Sequence, residues 1–392
     1  MSSPSSRPTI AYLAQGKIRL KSGDALPRTV ESVYGNSIRD KAVRAAQRHS
    51  WKGQGDSSPF AAAAWGNKAM QTGEVPLLIT SLCASKEPGS LIYSLESGSL
   101  CALLEVRQLG AEEQRLWNDN NARIRHVTVS KETGDLVFSL LHQNGTANIG
   151  VKRAGRGGYV ELTEGDSFDT APRWKPGAER YIVYQSAGVG RNREGQFLAF
   201  GPFMIQQLDT EAGEITTLVE ESGQDCLAPH YAADGSLYYI QRPYVERETH
   251  GFFSPVKNLL LFPFRLAHAI YNFLNFFSAI FSGRKLSPSG GAKAREMDMK
   301  QMMIWGNLVR SHKQGEVEDE SADLVPKSWQ LLRRTANGET RPLASGVLAY
   351  DVGADGTVVY TNGSAVFLLH PDGSKEHVIN ERMIEQVFLV TA

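Results

Sequence analysis

Three cysteines, Cys83, Cys101 and Cys226, are all the thiol this chain carries. The set is odd and sparse, with no Cys-x-x-Cys pair. That excludes a disulfide framework and a zinc ribbon and points to reduced thiols, each in a strand-like context that suits a small core residue. Charge of one sign is also missing: Lys+Arg and Asp+Glu both number 42, so no global basic field is present to hold nucleic acid. The opening Met-Ser-Ser-Pro-Ser-Ser-Arg-Pro has no basic start followed by an apolar stretch, so it does not read as a secretory signal. Together these absences make the cytoplasm the expected location. No P-loop, dinucleotide fingerprint, zinc spacing or Gly-x-Ser-x-Gly elbow occurs. No cofactor or metal is therefore expected, and no motif names a reaction.

What is present is a repeat. A short apolar strand leads to a turn with Gly and Asp, then an aromatic strand, a second turn, an alternating strand, another turn and a last strand. The clearest copy runs Ala171-Pro172-Arg173-Trp174-Lys175-Pro176-Gly177, then Tyr181–Tyr184, Phe203–Leu208 and Ile215–Leu218. The next opens at Ala228-Pro229-His230-Tyr231-Ala232-Ala233-Asp234-Gly235. Another runs from Val347 through Asp355-Gly356 and Asn362-Gly363 to Asp372-Gly373, an earlier one from Ile124 to Leu162, and a weaker one from Leu77 to Trp117. Asp-Gly and Asn-Gly supply the positive φ that tight hairpins need, and the β-branched and aromatic residues between them suit half-buried strands. Four strands in roughly 40–45 residues is the spacing of a β-propeller blade. The two chain ends are complementary. Thr9–Ala14 and Lys17–Leu20 look like a blade lacking its first strand, and Ile384–Val390 is a strand lacking a blade. Pairing them closes the ring and removes its edges. The expected architecture is one all-β unit over residues 1–392, six-bladed with seven as the alternative.

Pro172-Arg173-Trp174-Lys175-Pro176-Gly177 and Pro229-His230-Tyr231-Ala232-Ala233-Asp234-Gly235 resemble the Pro-x-Trp-Ser-Pro-Asp-Gly start of TolB-like propeller repeats. The resemblance covers about 250 residues, and no copy carries the full Ser-Pro-Asp-Gly. It implies a propeller, a fold often used for protein contacts, and no particular reaction. TolB-like proteins are often exported, so the missing signal departs from the family.

Two segments break the repeat. Residues 35–76 read as a helical and flexible insertion between the first and second blades. A helix is expected from Ser37, with a capping pattern at Ser37–Asp40, to Arg48. Lys41, Arg44 and Arg48 would share one face, either solvated or set against anionic headgroups at about 1 kcal/mol per residue. Residues 243–327 interrupt a blade. Within them Val256–Phe281 is almost wholly apolar, including Leu260, Phe262, Phe264, Ile270, Phe273, Phe277, Ile280 and Phe281, with Arg284 and Lys285 just beyond. The length suggests a membrane span. However, Arg265, His268, Asn272 and Asn275 would form one polar stripe on a helix, and a segment that leaves and rejoins one blade cannot cross only once. The helix is expected in a membrane interface, between subunits of an oligomer, or against the propeller itself. Met297–Val309, with Trp305, reads as a second amphipathic helix with an adaptable Met surface.

The repeat alignment places Arg173, His230 and Asp351 at equivalent positions on the first strands of three blades, the strands that line a propeller channel. Such a set suits a metal, an anionic ligand or acid–base chemistry. It also suits the ordinary polar lining of a wet channel. His126 falls near them, while His268 belongs to the helix stripe. The resulting expectation is a non-enzymatic scaffold for protein partners at the inner face of the cytoplasmic membrane. A soluble oligomeric assembly subunit and a channel-mouth lyase or hydrolase are the alternatives.

Overall fold

The computed structural model describes residues 8–52, 77–107, 112–178, 180–244, 301–304, 307–310 and 324–390. Six four-stranded antiparallel sheets form the blades of a propeller. Blade 1 joins Ile384–Val390 to Thr9–Ala14, Lys17–Lys21 and Arg28–Val30. Blade 2 holds Leu78–Ala84, Leu91–Ser97, Leu100–Arg107 and Glu112–Asp119. Blade 3 holds Ile124–Val129, Leu136–Leu141, Ala147–Lys152 and Val160–Glu161. Blade 4 holds Thr170–Trp174, Tyr181–Ser186, Met204–Asp209 and Glu214–Val219. Blade 5 holds Gln224–Tyr231, Leu237–Pro243, Gln330–Arg334 and Thr340–Ser345. Blade 6 holds Ala349–Val352, Val358–Thr361, Ala365–Leu369 and Lys375–Asn380. The count is six, and the ring closes through the C-terminal strand, paired from Thr9↔Val390 to Leu13↔Gln386.

Burial depends on position within the blade. Middle strands are covered on both faces by neighbouring blades, so they are apolar almost throughout: Leu100–Arg107 is buried at every position but its ends. Outer strands meet water, and Glu112–Asp119 has no buried residue. Large side chains such as Tyr12, Tyr93, Tyr184 and Phe138 fill the wedges between blades. The three cysteines are buried and free, and burial raises each thiol to about 12, which keeps them unreactive thiols. The turns carry the residues their geometry needs. Gly356 has φ +83°, and Asp355 beside it accepts from Thr357 N at 3.0 Å.

One helix is described, Val33–Lys52, between blades 1 and 2. It starts before Ser37, because Ser32 caps it: Ser32 Oγ accepts from Gly35 N at 2.9 Å. Blade 2 holds this end, as Glu113 accepts from Tyr34 N at 2.5 Å and Tyr93 donates to Ser32 Oγ at 2.8 Å. Tyr34 and Ile38 pack on the core while Lys41 and Arg44 stay exposed. A second correction falls in the interrupted blade. Gln301–Ile304 and Asn307–Arg310 are paired strands of a hairpin, not part of an amphipathic helix. Val256–Phe281, with Leu260, Phe262, Phe264, Ile270, Phe273, Phe277, Ile280 and Phe281, lies outside the described residues, as do Arg284, Lys285 and Trp305. Among the described residues no helix is long and apolar enough to cross a membrane.

Candidate functional site

The inner strands share a local irregularity that aims their side chains. In blades 3, 4 and 5 the ladder to the second strand shifts by a bulge, at Arg125/Thr128, Thr170/Arg173 and Leu227/His230. Each bulge contains one left-handed residue: His126 at φ +52°, Ala171 at +53° and Ala228 at +51°. Extra residues of this kind bend the strand and re-aim the next side chains along it. The prolines of the repeat, Pro172 and Pro229, sit inside the bulges, where no ladder donor is required.

Past the bulges the register sets Arg173 opposite Val183 and His230 opposite Tyr238. In the unbulged blade 6, Asp351 faces Val359. The structure brings these three side chains together. Arg173 Nη1 donates to Asp351 Oδ1 at 3.0 Å, and His230 Nδ1 lies 3.5 Å from the same oxygen. Leu389 N, on the closing strand of blade 1, donates to Asp351 Oδ2 at 3.1 Å. The guanidinium also lies 5.8 Å from the Phe388 ring centroid. Tyr350 donates to Ala228 O at 2.6 Å, tying blade 6 to blade 5. Asp351 is thus the hub of contacts from blades 1, 4, 5 and 6.

Electrostatics make the hub a fixed ion pair among neutral rings. Burial, then the nearby Arg173 charge, holds His230 well below the usual imidazole range. Burial, then Arg125 and Arg173, takes His126 down to about 3. His126 lies on the same strand as Thr128, with Nδ1 at 3.4 Å from Ser139 Oγ. His230 Nδ1 is buried with no hydrogen-bond partner among the described residues. Among those residues no group of three or more His, Cys, Asp or Glu side chains could hold a metal ion. Asp351 is shared between Arg173 and a backbone donor, an arrangement that fixes these side chains relative to one another.

At the other end of the inner strands the charges differ. Arg125 and Glu96 form a bidentate pair, with Nη2–Oε2 at 3.2 Å. Glu385 lies near them. Burial raises its carboxyl to about 7 against the opposing pull of Arg125 and of the Gly16 N–H.

A second candidate surface surrounds the break in blade 5. Leu237–Pro243 and Gln330–Arg334 pair directly, from Leu237↔Arg334 to Gln241↔Gln330, so everything between them issues from one strand-to-strand connection. Its root is clasped. Arg242, 3% exposed, donates from Nε to Asp225 Oδ2 at 2.9 Å and lies 4.5 Å from the Trp329 ring centroid. On the outgoing side Tyr244 donates from N to Gly223 O and from its hydroxyl to Phe200 O, each at 3.0 Å. On the returning side Leu324 N donates to Asn362 O at 3.1 Å. Leu324 also fills the space beside Gly363, whose φ is +92° and where a Cβ would meet it at 2.7 Å. Phe200 belongs to a hairpin that the repeat pattern does not contain, Val189–Arg191 with Phe197–Phe200, which extends from blade 4. Phe168, Phe197, Phe200 and Phe203 cluster there, with ring centroids 4.4–6.4 Å apart. Its sequence signal is Glu194-Gly195 with the apolar run Phe197–Phe200 just after it.

No family model and no curated protein matches the sequence. Among solved structures, TolB from Acinetobacter baumannii is similar over 98% of this chain and 66% of that one, with TM-score 0.51 and 11% identity. A protein assigned as a TolB from Agrobacterium tumefaciens is similar at TM-score 0.45 and 12% identity, over 97% and 92% of the two chains. The tricorn protease is similar at 0.47 and 12%, over 100% of this chain and 36% of that one. The two lower scores carry no argument. The first, at this identity, shows the fold: a TolB-like six-bladed propeller. Since this chain spans only 66% of the Acinetobacter TolB chain, none of that protein's partners is carried over by the likeness.

Proposed function

We propose that the protein is a non-enzymatic propeller scaffold for protein partners, attached to the cytoplasmic face of the cytoplasmic membrane by the segment that interrupts blade 5. The observation that supports this reading is the clasped root, where both ends of that segment join adjacent, directly paired strands. An apolar stretch held this way starts and finishes on one side of any bilayer, so a single crossing is excluded by topology. Of the three placements this leaves, the one adopted for the apolar run Val256–Phe281 and its polar stripe is the plane of the membrane interface, with Arg284 and Lys285 among the headgroups. The ring-closed disc offers its faces and loops to partners, one of the many uses this fold supports.

Co-sedimentation with anionic vesicles tests the attachment. The full chain is expected in the pellet, and a chain lacking residues 251–310 in the supernatant. Equal recovery of both in the supernatant overturns it. A detergent-free mass of a dimer or larger, lost on the same deletion, would then assign the segment to subunit assembly.

A further inference from the structure

We propose that the Arg173 end of the channel is a binding site for a carboxylate. A guanidinium carries five N–H groups in a planar fork. Arg173 uses Nη1 on Asp351, and its other nitrogens make no hydrogen bond among the described residues. Its side chain is 21% exposed, so part of the fork still faces solvent. Asp351 does not absorb the remainder, because its second oxygen is taken by Leu389 N. The ion pair therefore fixes the guanidinium plane, from blade 4, while leaving donors unspent. Beside it, the buried His230 Nδ1 makes no hydrogen bond, its near neighbour being Asp351 Oδ1 at 3.5 Å, and buried polar atoms without partners are rare enough to require a reason.

The turns beyond the inner strands carry both acids and bases; three of the acids are held by other groups, while Glu87 and Glu132 are exposed. Asp135 pairs with Arg153 at 2.7 Å and Asp234 with Arg333 at 2.6 Å, both arginines outside the inner strands. Asp355 is held by Thr357 N and Oγ1 at 3.0 and 2.9 Å. The bases reach across to neighbouring blades. Lys131 donates to Ser85 O across to blade 2, and Lys175 lies 4.8 Å from the Tyr231 ring centroid of blade 5. Lys131 and Arg173 are both close enough to pull on the buried Cys83 thiol. This end of the inner strands thus carries a fixed guanidinium edge, two ammonium groups and the rings of Phe388 and Tyr231. A planar two-oxygen acceptor fits a guanidinium fork better than a point anion does. The carboxylate can belong to a free organic acid or to an acidic side chain of a partner.

Calorimetric titration of the full chain tests this with three probes: succinate, its uncharged diamide, and a short peptide ending in Asp-Glu. Saturable binding of succinate or of the peptide, and none of the diamide, is expected. Succinate alone points to a free acid as the ligand, and tighter peptide binding to a partner's side chain. Arg173→Lys keeps the charge and loses the fork, and should weaken binding about tenfold. Arg173→Gln with Asp351→Asn removes the pair without stranding a buried charge, and should abolish binding while its melting stays cooperative. His230→Asn serves as the milder variant should that pair fail to fold. No saturable binding of either carboxylate at millimolar concentration overturns the site, as does diamide binding equal to succinate, or equal succinate affinity in wild type and Arg173→Lys.

Discussion

Blades 1 and 5 are the two blades whose strands are widely separated in sequence, and they are sealed by different means. Blade 1 is assembled from both regions of the chain that flank the rest. Its seam is mostly apolar: Ile10, Tyr12, Ile384 and Val387 are almost fully buried in one cluster. Its polar contact lies at the margin, where Tyr12 donates to Glu381 at 2.5 Å and Arg19 stands 3.4 Å from the same carboxylate. Blade 5 is split by a long excursion, and its root is held by a buried ion pair under a tryptophan. The difference reflects what each joint must do. A seam between two strands needs area, which apolar side chains supply without direction. A root must hold two chain passages in one relative position, which a stacked, hydrogen-bonded arginine does directionally.

Four measurements probe these two joints. Removing residues 384–392 should have the largest effect. Ile384, Val387, Phe388 and Val390 are each at most 9% exposed. Burial of such side chains is worth about 1.5–3 kcal/mol apiece, which together matches a domain's whole margin of about 5–15 kcal/mol. Cooperative denaturant unfolding should vanish; a cooperative transition in the truncated chain would mean the seam is not what closes the ring.

Next comes the root. Arg242→Met strands the Asp225 carboxylate, which is 5% exposed, and should cost about 3–5 kcal/mol in denaturant unfolding. Adding Asp225→Asn should return most of that loss, since an amide oxygen can still accept from Phe203 N, which meets Asp225 Oδ1 at 3.0 Å. If the double variant is no better than the single one, the clasp acts through the Trp329 stack and not through charge.

Glu385 tests the seam from the channel side. Its folded carboxyl titrates at about 7, raised from 4.5. A group raised in the folded state contributes stability that is present below pH 4.5 and is lost as pH rises through 7. Glu385 is only half-buried by area, so solvent screens part of this, leaving about 2 kcal/mol. Unfolding free energy measured from pH 4.5 to 8 should fall in the wild type, relative to Glu385→Gln, over that window. Parallel curves would remove Glu385 from the account.

The smallest effect is expected from replacing residues 245–323 with a short Gly/Ser loop. Shortening the connection about tenfold lowers its closure cost by about 2 kcal/mol, in the stabilising direction, and the clasp lies outside the replaced segment. A thermal melt within a few degrees of wild type is the expected result. Loss of the transition would show that blade 5 depends on the excursion and is not self-sufficient at its root.

Much of the fold is legible in the sequence because it is local. Asp234-Gly235, Asp355-Gly356 and Asn362-Gly363 mark turns by chemistry that needs no neighbour, and Val/Tyr alternation marks strands. The equivalence of Arg173, His230 and Asp351 comes from counting between those turns. The illegible part depends on partners distant in sequence. Residues 225, 242 and 329 make the clasp, and no pattern within a window of the chain connects them. The helix starts earlier than its local capping pattern suggests because Ser32 gains its role from Tyr93 and Glu113 of blade 2. Met302, Met303, Leu308 and Val309 form an apolar run whose period is ambiguous between helix and strand. The glycine at 306 is the cue for a hairpin.

The pairing of Thr9 with Val390 also sets a schedule. A chain made from its N-terminus presents Thr9–Ala14 before any of blades 2 to 6 and makes the strand that covers it only after all five. Until that strand is made, Thr9–Ala14 carries an open ladder edge, and the contact that covers it is among the most distant in sequence that the fold contains. Such contacts form slowly, because the loop they close must first be ordered. While blades 2 to 6 are made, the nascent protein is therefore an open arc of blades, when a chaperone or a premature partner can bind an edge that the closed ring never shows.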